Sequence, residues 1–276
     1  MPPISLNKLL IAGLGLLLFA SSVQVHAEPP SLGIGLSQYA YREPSLGVAH
    51  DGWLGIARAK WAPDNLRFKN WPFTLTGQAT FGYADYTGSG TMANQPTSIY
   101  QLQVESPHTE WISGYQISPG LGYRYLYNDA RGITSTNNVG YRRTSEYLFA
   151  SLGAERPFGE NWRVTAQGYL LLSGRQTSNL FDVGGDYASQ GPLKNTQRHG
   201  FGWRTGVCKT YQALDFCSSY EFWQIGASDN YSFVSNGNRY TIYEPTNHTK
   251  SFQFTERKST RLNSSHSSVS RMPSSA

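Results

Sequence analysis

The chain has 276 residues, with 23 Lys and Arg against 18 Asp and Glu, a formal net charge of +5. Five of the cations, Lys8, Arg257, Lys258, Arg261 and Arg271, sit in end segments that hold no acid, so residues 28–256 balance at 18 cations against 18 acids. With no clustered basic surface, nucleic-acid binding is excluded; 15% charged residues against 14% aromatics also departs from the roughly 25% charge of soluble domains.

The chain opens on a secretory pattern. Lys8 is the only charge before an apolar run, Leu9 to Ala20, and Val25-His26-Ala27 follows a polar stretch. This predicts a signal peptide over residues 1–27 with cleavage before Glu28. The apolar run is about a dozen residues, short of the roughly 20 a spanning helix needs.

Beyond residue 27 the signal is period-two alternation, the mark of strands with two unlike faces. In chain order, strands are expected near Leu32–Tyr41 and Gly47–Trp61. The second is ambiguous, because Leu54 and Ile56 share parity with Arg58 and Lys60. Phe73–Asp85 is clearer: Phe73, Leu75, Phe81 and Tyr83 oppose Thr74, Thr76, Gln78 and Thr80. Thr97–Glu105 follows, then Ile117–Asn128, where Leu121, Tyr123, Tyr125 and Tyr127 oppose Gly120, Gly122, Arg124 and Asn128. Next come Tyr141–Ala154, Trp162–Ser173, with Ser173 on its polar face, His199–Tyr211, Leu214–Phe222 and Asn247–Thr255. No helical stretch is expected after residue 27. The reading is an all-β chain, with residues 28–256 as a single up-and-down antiparallel transmembrane β-barrel of about ten strands, eight to twelve being compatible.

The connections alternate in length. With the N-terminus periplasmic, Ala62–Asn70, Ser106–Gly114, Glu155–Asn161 and Gln212–Ala213 read as inner turns. Thr87–Pro96, Asp129–Gly140, Gly174–Arg198 and Ala227–Thr246 read as longer outer loops, and Arg42–Leu46 as a brief one. Tryptophans favour the two membrane interfaces, so two girdles are expected. Trp61, Trp71, Trp111 and Trp162 would form the inner one, and Trp53, Trp203 and Trp223 the outer one.

Cys208 and Cys217 flank the expected turn at Gln212-Ala213 symmetrically, which makes a cross-strand disulfide a candidate in an oxidising envelope. Arg124, Arg163, Arg204, Asp215 and Glu221 share the inward parity. In a barrel this narrow they are expected to pair as a polar plug, with a pore lining as the alternative.

The segments Tyr41-Arg42-Glu43-Pro44, Gly120-Leu121-Gly122-Tyr123-Arg124-Tyr125, Gly140-Tyr141-Arg142-Arg143 before Glu146-Tyr147-Leu148, and Gly174-Arg175-Gln176-Thr177-Ser178 resemble uncharacterised outer-membrane β-barrel proteins of proteobacteria. The resemblance implies an outer-membrane barrel similar in size to the ten-stranded omptin proteases. The role expected of such a barrel is structural, surface-binding or small-channel, with specificity in outer loops 174–198 and 227–246. The expected partners are outer-membrane lipid and lipopolysaccharide, and the barrel-assembly machinery during biogenesis, for a chain acting as a monomer.

The alternative is a rim enzyme, an omptin-like protease or a lipid-modifying hydrolase. An omptin-like site needs paired acids plus an Asp/His pair. His50, Asp51, Asp85, Asp129, Asp182, Asp229 and His248 stand near the outer rim, but no spacing among them matches that pattern. His199 with nearby serines permits a hydrolase only weakly. No G-x-S-x-G, H-E-x-x-H or C-x-x-C motif occurs. Catalytic residues, a metal and a cofactor are therefore not expected.

The last segment is of another kind. Arg257–His266 and Ser270–Ala276 resemble a translated reading frame of the adapter DNA used in short-read sequencing, so residues 257–276 are expected to be a non-native disordered tail. The closing strand is then expected to be cut short, leaving a weak seam against the first.

Overall fold

The computed structural model describes residues 28–63, 67–68, 71–184, 191–212, 214–235 and 237–259. The expected signal peptide and residues 260–276 of the expected tail lie outside these. Among the described residues, ten long strands make one sheet. In chain order they are β1 (Glu28–Glu43), β2 (Val48–Ala62), β3 (Thr74–Thr87), β4 (Thr91–Pro107), β5 (Tyr115–Asp129), β6 (Arg142–Phe158), β7 (Trp162–Ser178), β8 (Gly200–Tyr211), β9 (Leu214–Ile225) and β10 (Asn247–Ser259). Each pairs antiparallel with its sequence neighbours, and β1 pairs with both β2 and β10, so the sheet closes into a barrel. Closure satisfies every edge, which a sheet crossing hydrocarbon requires.

Alternation sets the two faces. Leu32, Ile34, Phe81, Tyr83, Leu121, Tyr123, Val164, Leu170, Phe201 and Phe254 are exposed on the outside. The apolar band on β7 runs from Trp162 to Leu172, eleven residues, matching the 9–11 a tilted strand needs to span a bilayer. Trp61, Trp111 and Trp162 point outward at the end with the tight turns, and Trp53 and Trp203 point outward nearer the other end. Trp71 packs on His108 at 5.7 Å within the turn region.

Trp223 departs from the expected girdle. It is 4% exposed and lies inside the barrel. The reason is parity: it follows Ser219 and Glu221 along the inner face of β9, and Glu221 Oε1 accepts its indole N–H at 2.8 Å. The ambiguous strand β2 resolves likewise. Leu54, at 0%, and Ile56 are buried inside, on the face that carries Arg58 and Lys60.

Two bulges shift the expected boundaries. The register of β7 slips between Leu171 and Ser173, so Ser173 turns outward while Gly174, Gln176 and Ser178 turn in. The β3–β4 register slips beyond Ala84, with Asn94 at φ 54° and its N–H donating to Asp85 Oδ1 at 2.9 Å. The expected loop Thr87–Pro96 is therefore mostly strand, closed by a turn at residues 88–90. Within Gly174–Arg198, the short strand Leu193–Gln197 folds back on β7. Within Ala227–Thr246, Tyr231–Ser235 pairs with Asn238–Ile242 as a separate hairpin.

The closing strand runs to Ser259 and is paired along its length on both sides, from Arg42↔His248 to Ser31↔Ser259 on one and from Ile225↔Asn247 to Leu214↔Lys258 on the other. The expected weak seam is absent from the described residues.

Candidate functional site

The interior is built in tiers. At the turn end, Cys208 and Cys217 are register partners with Cα atoms 4.1 Å apart, and a disulfide joins them. Beside them Asp215 accepts from Arg163 at 2.7 Å, from Arg257 at 2.6 Å and from Thr210 Oγ1 at 2.7 Å. The next tier holds Arg204, which donates to Ser219 Oγ at 3.2 Å, and Gln167, which donates to Glu105 at 3.0 Å.

At mid-height the interior becomes aromatic. Phe149, Tyr169, Leu171, Trp223 and Ile225 form one buried cluster with Tyr147. Tyr39, Tyr41 and Leu54 form a second from β1 and β2. Trp223 stacks on Tyr169 at 4.8 Å on one side and lies beneath the Arg124 guanidinium at 4.7 Å on the other. Arg124 also donates to Glu221 at 3.3 Å. A lone buried charge is costly, so each member of this pair holds the other in place.

The five charges expected to form one plug thus fall into separate groups. Arg124 and Glu221 seal the middle, Arg163 and Asp215 pair at the turn end, and Arg204 lies opposite Glu221 across the β8–β9 register.

A further charged tier stands above, toward the loop end. Arg143 reaches Glu43 at 3.3 Å and the Tyr41 hydroxyl at 2.9 Å, with its guanidinium 4.7 Å over the Tyr41 ring. Ser178 Oγ donates to Glu244 at 2.6 Å. Sequence reasoning missed this tier. Both faces of Tyr141–Ala154 are rich in apolar residues, and Glu43 falls in the expected brief loop Arg42–Leu46. The available signal was the Tyr41-x-Glu43 spacing, which puts both on one face of a strand.

Between the two charged tiers lies a cavity of about 90 Å³. Arg124 and Trp223 floor it, and Tyr39, Tyr41 and Tyr147 stand around it. A smaller cavity of about 50 Å³ lies against the same Arg124 and Trp223 and is lined mostly by polar residues such as Ser37, Gln78, Gln101 and Gln253.

The rim residues considered for catalysis are engaged structurally. His50 bonds Thr97 Oγ1 at 3.1 Å, and Asp51 pairs outward with Arg42 at 2.7 Å. Asp85 holds the Asn94 N–H. Asp129 takes Arg131 at 2.8 Å, Asp182 takes Arg142 at 2.6 Å, and Asp229 Oδ1 accepts the Thr196 N–H at 2.6 Å. His248 packs against Phe222 on the outer face at 6.0 Å. The His199 carbonyl accepts the Gly226 N–H at the start of the long loop at 2.7 Å. Arg142 holds the Asp182 carboxyl below its ordinary range, while burial pushes the Glu244 carboxyl up.

No protein-family model matches the chain, and no curated protein matches it. Solved structures do. The outer-membrane protease OmpT from Escherichia coli aligns with 86% of this chain and 99% of its own at 10% identity and a TM-score of 0.53. The chain has the fold of an outer-membrane β-barrel. Neisserial surface protein A aligns over 85% of this chain and 99% of its own, at 11% identity and a TM-score of 0.36. The β domain of the Bordetella autotransporter BrkA aligns over 85% and 100%, at 12% identity and a TM-score of 0.39. At such identities the OmpT likeness speaks to fold alone, since one barrel supports many activities.

Proposed function

We propose that this protein is exported to the bacterial outer membrane and acts there as a closed, non-conducting barrel that binds ligands at its loop end. The observation that carries this reading is the seal at mid-height. Arg124, Glu221 and Trp223 come from strands on opposite sides of the barrel, with Arg124 and Glu221 97 residues apart in sequence, and they meet across its axis. A conducting pore lines its walls with charge and leaves the axis to water, whereas here the axis is occupied by side chains.

What remains for function is the collar beyond the apolar band: the strand extension after Leu172, the returning strand Leu193–Gln197 and the paired strands Tyr231–Ser235 and Asn238–Ile242. Lipid and lipopolysaccharide would meet the outward band, the barrel-assembly machinery would insert the chain, and a monomer suffices because every barrel edge is paired.

Planar-bilayer recording on the full chain tests the seal. Silence is expected from the unaltered protein, and discrete conductance steps are expected from a variant carrying Arg124→Ser, Glu221→Ser and Trp223→Ala. Stable steps from the unaltered protein would overturn the reading.

A further inference from the structure

We infer that the half of the lumen between the seal and the turns is a binding site for a phosphate group, held between Arg58 and Arg204. The inference goes beyond the role at the loop end and rests on unmatched charge. Glu221 stands in the field of three arginines: Arg124 donates to it at 3.3 Å, Arg204 is its register partner on β8, and Arg58 faces it from β2. Glu105 is likewise shared between Lys60 and Arg58. Asp215 is taken by Arg163 and Arg257, and Glu155 lies 4.0 Å from Arg163. Around Glu105 and Glu221, four cations therefore face two carboxylates, and two positive charges stay unmatched.

The two arginines left over are open to the lumen. Among the described residues, Arg58 makes no hydrogen bond or ion pair, and none of its nitrogens is fully buried. Arg204 makes one hydrogen bond there, to Ser219 Oγ at 3.2 Å, and no ion pair. Both are half-buried, and Arg163 and Arg257 nearer the turns are 27% and 30% exposed, whereas Arg124 in the seal is 8% exposed. A solute can therefore enter from the turn end and is stopped at the seal. Small residues make the room. Gly33 and Gly35 on β1, Gly120 on β5, Gly153 on β6 and Gly206 on β8 all take inward positions here, where mid-height is filled by aromatic rings.

The donors describe the occupant. A guanidinium presents paired N–H groups in one plane, which suit the oxygens of a phosphate or a carboxylate. Two unmatched charges on strands far apart in sequence favour phosphate. Its oxygens point in four directions, so one group can meet both guanidinium planes, and its charge of about −1.5 to −2 near neutral pH matches the excess. A single carboxylate meets one plane and carries one charge, and a neutral hydroxyl leaves both cations unmatched. Charge withdrawn from water is costly unless it is paired, so an occupied site also stabilises the barrel.

Calorimetry and phosphorus NMR on the full chain, folded in a maltoside detergent that carries no phosphate, test the site at low ionic strength. The probes are sodium phosphate and glycerol 3-phosphate, with glycerol as the neutral control. Saturable phosphate binding is expected, one per barrel and millimolar or tighter, weakening as salt is added. Glycerol 3-phosphate competing for the same place marks the end group of a larger ligand, and its exclusion marks the free ion; either supports the site. Arg58→Met and Arg204→Met are each expected to weaken phosphate binding about tenfold. Arg156→Met, which removes an outward cation at the same end of the barrel, is expected to leave it unchanged. Phosphate is also expected to raise the urea midpoint of the unaltered barrel and not that of Arg58→Met, which a merely structural arginine would not produce. Heat-modifiable gel mobility checks that each variant is folded. Absence of saturable phosphate binding, undiminished binding in both inward variants, equal weakening in Arg156→Met, or equally tight binding of glycerol would overturn the inference. Bilayer silence is independent of all these results, so failure here leaves the proposed seal standing.

Discussion

The Arg124–Glu221 pair is buried deeply enough that its two charges cannot be considered separately, their side chains being 8% and 15% exposed. Removing one partner strands the other in a low-dielectric interior, whereas removing both need not. Glu221→Ala is therefore expected to destabilise the barrel by about 3–5 kcal/mol, while Arg124→Leu with Glu221→Leu is expected to recover most of that loss. Urea unfolding in lipid vesicles, followed by tryptophan fluorescence, checks it; equal losses in the single and double variants would sink it. That these two residues point inward was legible, because each sits among small or polar residues of its own parity. That Trp223 shares their face was equally written in its parity, yet its side-chain type argued for the interface. Type suggested one environment and spacing another, and spacing won because strand parity fixes the side of the sheet a side chain takes, where Glu221 accepts the indole N–H. The cavity was not legible at all, since its residues come from six strands and no local pattern records what their side chains leave empty.

Between the staves and solvent, the collar elements are held by a few polar contacts of opposite pH sense. The one-turn segment Leu180–Val183 is tied to β6 by Arg142 on Asp182, at 2.6 and 2.8 Å. Asp182 is held below its usual value of 3.8 by this bond, so its contribution is complete above that value and is lost as pH falls through the lower, folded one. Glu244 works in reverse. Burial raises it above its usual value of 4.5, against the opposing pull of Arg143 and with Glu43 adding to the rise. Its contribution is complete below 4.5 and is lost as pH rises through the raised value. Glu244 also anchors the long loop through Ser228, whose N–H donates to the Glu244 carbonyl at 2.9 Å and whose Oγ accepts the Glu244 N–H at 2.8 Å. Hydrogen exchange corrected for intrinsic rates should then show protection at Ser228 and Glu244 falling as pH rises from 4 toward 8. Protection near Asp182 should fall only on acidification below about 4. A Glu244→Gln variant should abolish the first trend and spare the second; persistence of the first trend in that variant would refute the assignment. Sequence alone predicts loops here, because these segments are rich in Asn, Gly and Ser. Leu193–Gln197 is a strand only because the extended β7 offers it an edge, which is tertiary context and not propensity.

The whole molecule depends on one contact that no window of sequence contains. Alternation gives about ten staves and, for most of them, which way each faces, so the outward apolar band could be read locally. Closure joins residues more than 200 positions apart, Ser37 to Ser251 among them, where the two hydroxyls meet at 2.8 Å. The composition at that seam shows how it is made. Gly33 and Gly35 lie on the inner face of β1 against β10, and a Cβ at Gly35 would collide with the Phe254 carbonyl. Neither glycine has a left-handed backbone; what they supply is close approach. Both edges of β10 are fully paired, so a larger residue at Gly35 has no slack to displace into without opening the β1–β10 ladder. Opening it exposes two unpaired edges to lipid, where each unmet backbone group costs several kcal/mol, so the damage is all-or-none. Gly35→Val is accordingly expected to abolish the heat-modifiable folded band. Gly77→Val, at a position where an added Cβ meets nothing within 4 Å, should keep that band. If both variants fold alike, the seam tolerates the bulk and the tight β1–β10 approach is not what closes the barrel.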